Sequence, residues 1–331
     1  MTILDNLIQR AQVAPKRIVL TEGEDERILQ AAQRLSDDKV AVVTILGNAD
    51  VIAVKASMLG LTLAEVTVID PITSPLRESL SQLLVELRAK KGMTQEKAHE
   101  LAGQPLWFAN LSVKADHQDG VVSGAIHTTG DVVRAAIQVI GVDKAFNMIS
   151  SFFLMVLDQP HHPRQGGMVF SDCGLVIDPD AAQLAEIASA AANSYQALSG
   201  EAAKVAMLSF STSGSASHPE VEKVVEATRL IKAARPDLSI DGEVQLDAAI
   251  VPAIAASKIK ESEVQGAANV LVFPSLEAGN IAYKLVERFA GATAIGPLFQ
   301  GLAKPANDLS RGCSSDDVYY VTAVTVVQAQ A

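Results

Sequence analysis

Cysteine is scarce in this chain: of 331 residues only Cys173 and Cys313 carry a thiol, far apart and in no metal-ligand spacing. That excludes a disulfide scaffold and a cysteine-built zinc site, and makes a reducing cytoplasm the expected setting. Aromatic residues amount to 4%. Positive charge is in deficit, 27 Lys and Arg against 38 Asp and Glu, for a net charge of −11. Nucleic acid and an anionic membrane, both of which such a charge repels, are therefore not expected as partners. Long hydrophobic runs are missing as well. The longest, FNMISSFFLMVL, spans about a dozen residues, too few to cross a bilayer, and MTILDNLIQRAQ lacks the apolar core of a signal peptide. The expectation is a soluble cytoplasmic protein.

What remains is rich in small and β-branched apolar residues, with 49% apolar and 20% charged, the profile of an α/β enzyme with buried parallel strands. The length points to two domains of about 150 residues each. Short runs such as RIVL, KVAVVTILG, EVTVID and DGVVSGA predict strands, and ERILQAAQRL and LRESLSQLLVELRAKKG between them predict helices. After Gly141 come the strand-like MISSFFLMVL, GGMVFSD and GLVIDP, then a second alternation from KVAMLSFS to NVLVFP and GNIAYKLVERFAG. This pattern predicts parallel sheets with helices on both faces. A boundary falls near Asp143, and the Gly/Pro-rich segment from about Gly296 returns to the first domain. The expected division is residues 1–143 plus 297–331 and residues 144–296.

Four stretches bear on chemistry. In SGAIHTTGDVVR a strand ends at Gly124, Thr128 and Thr129 stand in a turn, Asp131 begins a helix and Arg134 lies one turn inside. Free N–H groups at a helix start with hydroxyls and a cation beside them fit a phosphate cradle; the plainer alternative is a turn with Asp131 as N-cap. SFSTSGSASHPE (Ser209 to Glu220) repeats the strand-to-loop arrangement without a P-loop lysine or a dinucleotide glycine pattern. HHPR (His161 to Arg164) is read as a surface turn, and no metal is assigned. ELRAKKGMT places Arg88 at a helix C-terminus, where an arginine also offers a bidentate fork to phosphate.

The fifth and densest stretch is NDLSRGCSSDD, Asn307 to Asp317. Ser314 and Asp317 have the spacing of a capping box, which predicts a helix over DVYYVTAVTVVQAQ although its β-branched content favours strand. Arg311 among carboxylates, fenced by Gly312, also fits an anion site with a base beside it.

These motifs, GPLFQGLAKPANDLSRGCSSDD, GVVSGAIHTTGDVVR, KVAMLSFSTSGSA, NVLVFPSLEAGNIAYKLVERFAGATAIGP and LRAKKGMT, resemble the phosphate acetyltransferase (phosphotransacetylase) family, in its order and over nearly the whole chain. The resemblance implies two α/β domains of the isocitrate/isopropylmalate-dehydrogenase-like type, an active site in the cleft between them, and a homodimer. It implies reversible acetyl transfer between acetyl phosphate and coenzyme A, with coenzyme A as substrate and no cofactor. The family's catalytic serine, arginine and aspartate fall on Ser310, Arg311 and Asp317. Its helix-end arginine resembles Arg88 and its second arginine Arg134, which is followed here by Ala135 where many relatives have proline. Thr128 and Thr129 stand where the family often has serines. An ordinary aspartate lies about 4.6 units below an ordinary thiol, a gap of roughly 6 kcal/mol that such a site must narrow. Three alternatives share the fold class: a phosphate butyryltransferase, a non-catalytic acyl-CoA-sensing module, and a decarboxylating dehydrogenase, for which no nicotinamide fingerprint is present.

Overall fold

The computed structural model describes residues 2–162 and 165–330. In chain order it contains α1 (Ile3–Val13), β1 (Lys16–Leu20), α2 (Glu26–Asp37), β2 (Ala41–Leu46), α3 (Ala49–Met58), β3 (Thr67–Ile69), α4 (Arg77–Arg88), α5 (Gln95–Ala102), α6 (Pro105–Lys114), β4 (Gly120–Ser123) and α7 (Thr129–Val139). Then follow β5 (Ser150–Leu157), β6 (Gly166–Ser171), α8 (Ala181–Ser199), β7 (Lys204–Leu208), α9 (Pro219–Ala234), β8 (Ser239–Val244), α10 (Leu246–Ile250), α11 (Pro252–Lys258), β9 (Val270–Val272), α12 (Leu276–Ala290) and β10 (Thr293–Gln300). The chain ends with β11 (Ala306–Asp308) and α13 (Ser315–Gln328). Two compact units result. One comprises Leu4–Ala145 and the segment from Leu302 on; the other comprises Phe146–Gly301 with the first residues of the chain. No described helix is long and apolar enough to cross a membrane.

The discontinuous unit holds a parallel sheet in the order β11-β4-β1-β2-β3. Helix α2 buries Ile28, Leu29, Ala31, Ala32 and Leu35, the three-to-four-residue spacing of a face turned to a core. On the other side Val19, Leu46 and Val121 of the strands meet Phe108 and Leu111 of α6 and Ala136 and Val139 of α7. At about 1.5–3 kcal/mol for each fully buried large aliphatic side chain, such layers outweigh local propensity. Helix α13 is the clearest case. Its β-branched residues favour strand, yet it packs against α2 and four strands and buries Val318, Val321, Val324 and Val326. The hydroxyls of Thr322 and Thr325 donate at 2.7 Å to the carbonyls of Val318 and Val321, so burying them leaves no donor unpaired.

The contiguous unit has the sheet order β10-β5-β6-β9-β7-β8. Here the all-parallel expectation fails, because β10–β5 and β5–β6 are antiparallel. GLVIDP is not a strand either. The backbone N–H groups of Gly174, Leu175 and Val176 are taken by the buried Asp172 carboxylate at 2.8, 2.9 and 3.3 Å, which withdraws them from any sheet ladder.

Candidate functional site

Strands β11, β4 and β1 are neighbours and parallel, so the segments leaving their C-terminal ends gather along one edge of the sheet. The chain runs from β1 outward to β2 and β3, then returns to β4 on the other side of β1. Ligands of open α/β sheets bind at such a reversal of strand order. Of the residues nominated from sequence, Thr128, Thr129 and Arg134 lie where β4 leads into α7, and Ser310, Arg311 and Asp317 where β11 leads into α13.

The loop that leads from β4 to the helix start is filled by the protein itself. The Glu22 carboxylate, 5% exposed, accepts the backbone N–H groups of Gly124, Ala125, Ile126 and His127 at 2.9–3.1 Å. It also meets the His127 Nδ1 at 2.8 Å. Burial pushes the Glu22 carboxyl up, but the bonds from the His127 ring and the backbone outweigh it and hold the group below its ordinary value. The same bond raises His127. The loop after β7 follows suit: Glu243 accepts the Ser211 hydroxyl at 2.9 Å and the Gly214 N–H at 2.8 Å. One turn on, Thr128 rather than Asp131 is the N-cap of α7. Asp131 instead takes the Thr128 hydroxyl at 2.8 Å and Arg134 at 2.7 Å.

The turn after β11 presents Ser310 and Arg311 to solvent. The Gly312 N–H reaches the Ser310 Oγ at 3.3 Å, and the Cys313 N–H closes the turn on the Ser310 carbonyl at 2.9 Å. The capping box is present. Asp317 Oδ2 accepts the Ser314 N–H at 2.7 Å and its hydroxyl at 2.9 Å, while Oδ1 has no partner among the described residues. Arg27 braces the turn from below, donating through Nη1 to the carbonyls of Arg311 (2.8 Å) and Cys313 (3.1 Å), and through Nη2 to that of Ala125 (2.9 Å). Its other donors grip Asp25 at 2.8 and 2.9 Å, which raises Arg27 and lowers Asp25. Burial pushes the Cys313 thiol up to about 11, although Arg27 pulls it the other way.

Over its whole length the chain is 46% identical to the phosphate acetyltransferase of Clostridium acetobutylicum (330 aligned residues, 100% of this chain and 99% of that one). The phosphate acetyl/butaryl transferase family profile matches residues 2–326. The chain belongs to this family. Its fold superposes on the EutD phosphotransacetylase from Staphylococcus aureus with a TM-score of 0.90 at 42% identity, covering 99% of this chain and 98% of that one. A phosphotransacetylase from Streptococcus pyogenes gives 0.92 at 40% identity, with the same coverage. A 4-hydroxythreonine-4-phosphate dehydrogenase from Burkholderia phymatum, 11% identical with a TM-score of 0.56, shares the fold alone.

Against this family background, Arg88 stands apart. It ends α4, partly exposed, and its side chain makes no hydrogen bond or ion pair among the described residues, so no contact joins it to Arg134 or Arg311. Glu22 and Arg27 are the residues that sequence reasoning missed. The signal was TEGEDER itself, four carboxylates and one arginine directly after the first strand. In HHPR, His161 and His162 both reach the Ala290 carbonyl at the end of α12 at 2.8 Å, while Pro163 and Arg164 lie outside the described residues.

Proposed function

We propose that this protein is a phosphate acetyltransferase, moving an acetyl group reversibly between acetyl phosphate and the thiol of coenzyme A. The observation that carries the assignment of roles is the turn after β11. It holds an exposed serine and arginine on a braced backbone beside a carboxylate with one unengaged oxygen. In the forward direction Asp317 Oδ1 takes the thiol proton and the thiolate adds to the acetyl carbon. The bond from that carbon to the phosphate oxygen then breaks and inorganic phosphate leaves. Arg311, whose guanidinium has no partner among the described residues, offsets the charge that gathers on the departing phosphate, and Ser310 donates to the carbonyl oxygen. Thr128, Thr129, Arg134 and Arg88 supply further anion contacts.

Burial pushes the Cys313 thiol up to about 11, which disfavours its thiolate, and the attack is assigned to coenzyme A itself, by direct transfer within a ternary complex. Coenzyme A serves as substrate rather than cofactor, and the working form is a cytoplasmic homodimer. The test is thioester formation from coenzyme A and a series of acyl phosphates. Acetyl phosphate is expected to give the highest kcat/KM. Preference for the butyryl compound would move the protein to the longer-chain branch of the family, and no turnover with any of them would end the proposal.

A further inference from the structure

Asp308 closes β11 opposite Ser123 of β4 and has no exposed surface. Its carboxyl group has two unequal oxygens. Oδ2 lies 2.6 Å from the Thr129 hydroxyl at the first turn of α7, and Oδ1 is buried without a hydrogen-bond partner. Gly124, with φ at +111°, presses its backbone against this oxygen so closely that any side chain there would overlap it. A buried carboxylate held only by the Thr129 hydroxyl and a weaker contact from the Leu309 backbone N–H, with no cation beside it, is a poor home for a negative charge.

The charged groups on the surrounding elements do not change that. Glu22, on the loop after β1, repels Asp308. His127 is engaged by Glu22, Arg134 by Asp131 on the same helix, Arg27 by Asp25, and Arg34 by Asp316. Arg311 and Asp317 stand at the turn that follows. Burial is the main cause that pushes the Asp308 carboxyl up to about 7.

We propose that Asp308 is a proton-linked positioning residue: an anion settling on the first turn of α7 beside Ser310 and Arg311 draws a proton onto Asp308, which then releases the Thr129 hydroxyl to that anion. The inference rests on the anion-binding roles given above to Thr129 and Arg311. While Asp308 is ionised it can only accept, so the Thr129 proton points at Oδ2. Once Asp308 is neutral, its own O–H donates to the Thr129 oxygen, and the Thr129 hydrogen is free to bond the anion. One proton enters from solvent and one hydrogen bond reverses direction; no other bond changes. Asp308 touches no substrate and acts through Thr129.

Sulfate is the probe, because it stays a dianion across the working range. Its Kd and its competition with acetyl phosphate are measured from pH 6 to 9 on the whole protein. The wild type is expected to lose affinity above about pH 7, approaching tenfold per pH unit as one linked proton requires. Asp308→Asn, whose amide donates to Thr129 at every pH, is expected to lose one proton from that slope. Thr129→Ser should keep the wild-type profile, and Thr129→Val should bind weakly with the slope flattened. Equal slopes in wild type and Asp308→Asn overturn the inference. Calorimetry of the wild type in two buffers of different ionisation enthalpy provides a measurement independent of any variant: sulfate binding near pH 7.5 should take up a fraction of a proton, and no uptake overturns the inference equally. If sulfate does not compete with acetyl phosphate at all, the anion-site reading falls first and takes Asp308 with it.

Discussion

Asp317 can be tested as cap and as base at once, because the two jobs use different oxygens. Replacing it with Asn keeps an acceptor for Ser314 but removes the group that takes a proton. The cap uses Oδ2 alone, through bonds of 2.7 and 2.9 Å. Losing part of it costs at most about 1 kcal/mol, or roughly 2–4 °C in the melting temperature of a unit this large. Losing a general base costs on the order of a hundred- to ten-thousand-fold in kcat, equivalent to about 2.7–5.4 kcal/mol of barrier. Ser314→Ala is the matched control, since it removes the Oγ side of the box and leaves the carboxylate in place. The expected outcome for Asp317→Asn is a melting temperature within a few degrees of wild type and turnover nearly abolished. Ser314→Ala should show a similar thermal loss with most activity kept. Thioester absorbance gives the turnover and calorimetry the stability. If both variants lose the same activity, or if Asp317→Asn keeps more than about a tenth of kcat, the carboxylate acts through the helix cap and the base assignment is wrong.

Cys313→Ala should remain active, with no acetyl group recovered on the wild-type protein by mass spectrometry; a stoichiometric acetyl-enzyme would contradict direct transfer. Arg27→Lys, which cannot reach Asp25 and three carbonyls together, should keep the fold but lower kcat on the order of ten- to a hundredfold through misplacement of the Ser310 turn; unchanged kcat would show that the brace is idle. Asp308 also makes a stability prediction. Because its folded value is raised, the native state holds a proton that the unfolded chain loses between pH 3.8 and about 7. Its contribution therefore falls as pH climbs through that window, to a cost of about 4 kcal/mol above it. Asp308→Asn should accordingly gain stability relative to wild type at pH 8 and gain little at pH 4. An equal difference at both pH values would show that the buried charge is not the cause.

Much of the candidate site was legible because it is local. The SRGC turn, the Ser314–Asp317 spacing and the hydroxyls of HTTG are each contained in a few consecutive residues, and the structure places them at the ends of adjacent strands. The supports were not legible because they are long-range contacts from side chain to backbone. Glu22 fills a loop 102 to 105 residues away, and Arg27 braces a carbonyl 284 residues on. No periodicity records such pairings. The fold shows the same divide. No strand was expected in the Gly/Pro-rich segment from about Gly296, yet residues 293–300 form β10, at the edge of the sheet, where a strand tolerates Pro297 and the register shifts between Ile295 and Leu298. Likewise, Asp172 takes the N–H groups that would have made GLVIDP a strand.

The sheet that carries the candidate site is also the last to be completed during synthesis. Strands β1 to β4 emerge early, but β11 and α13, with Ser310, Arg311 and Asp317, follow only after the whole contiguous unit from Phe146 to Gly301. That unit depends on almost nothing made later and is free to fold as it leaves the ribosome. The first segment must wait with one side of β4 unpaired and with the apolar surface that α13 will cover still exposed. At typical elongation rates of about 5–20 residues per second, the wait for those roughly 150 residues is on the order of ten seconds or more. A chain that stops before β11 thus lacks Ser310, Arg311 and Asp317 of the candidate site and leaves one edge of β4 bare, so the incomplete product exposes the kind of unpaired strand that chaperones and proteases capture.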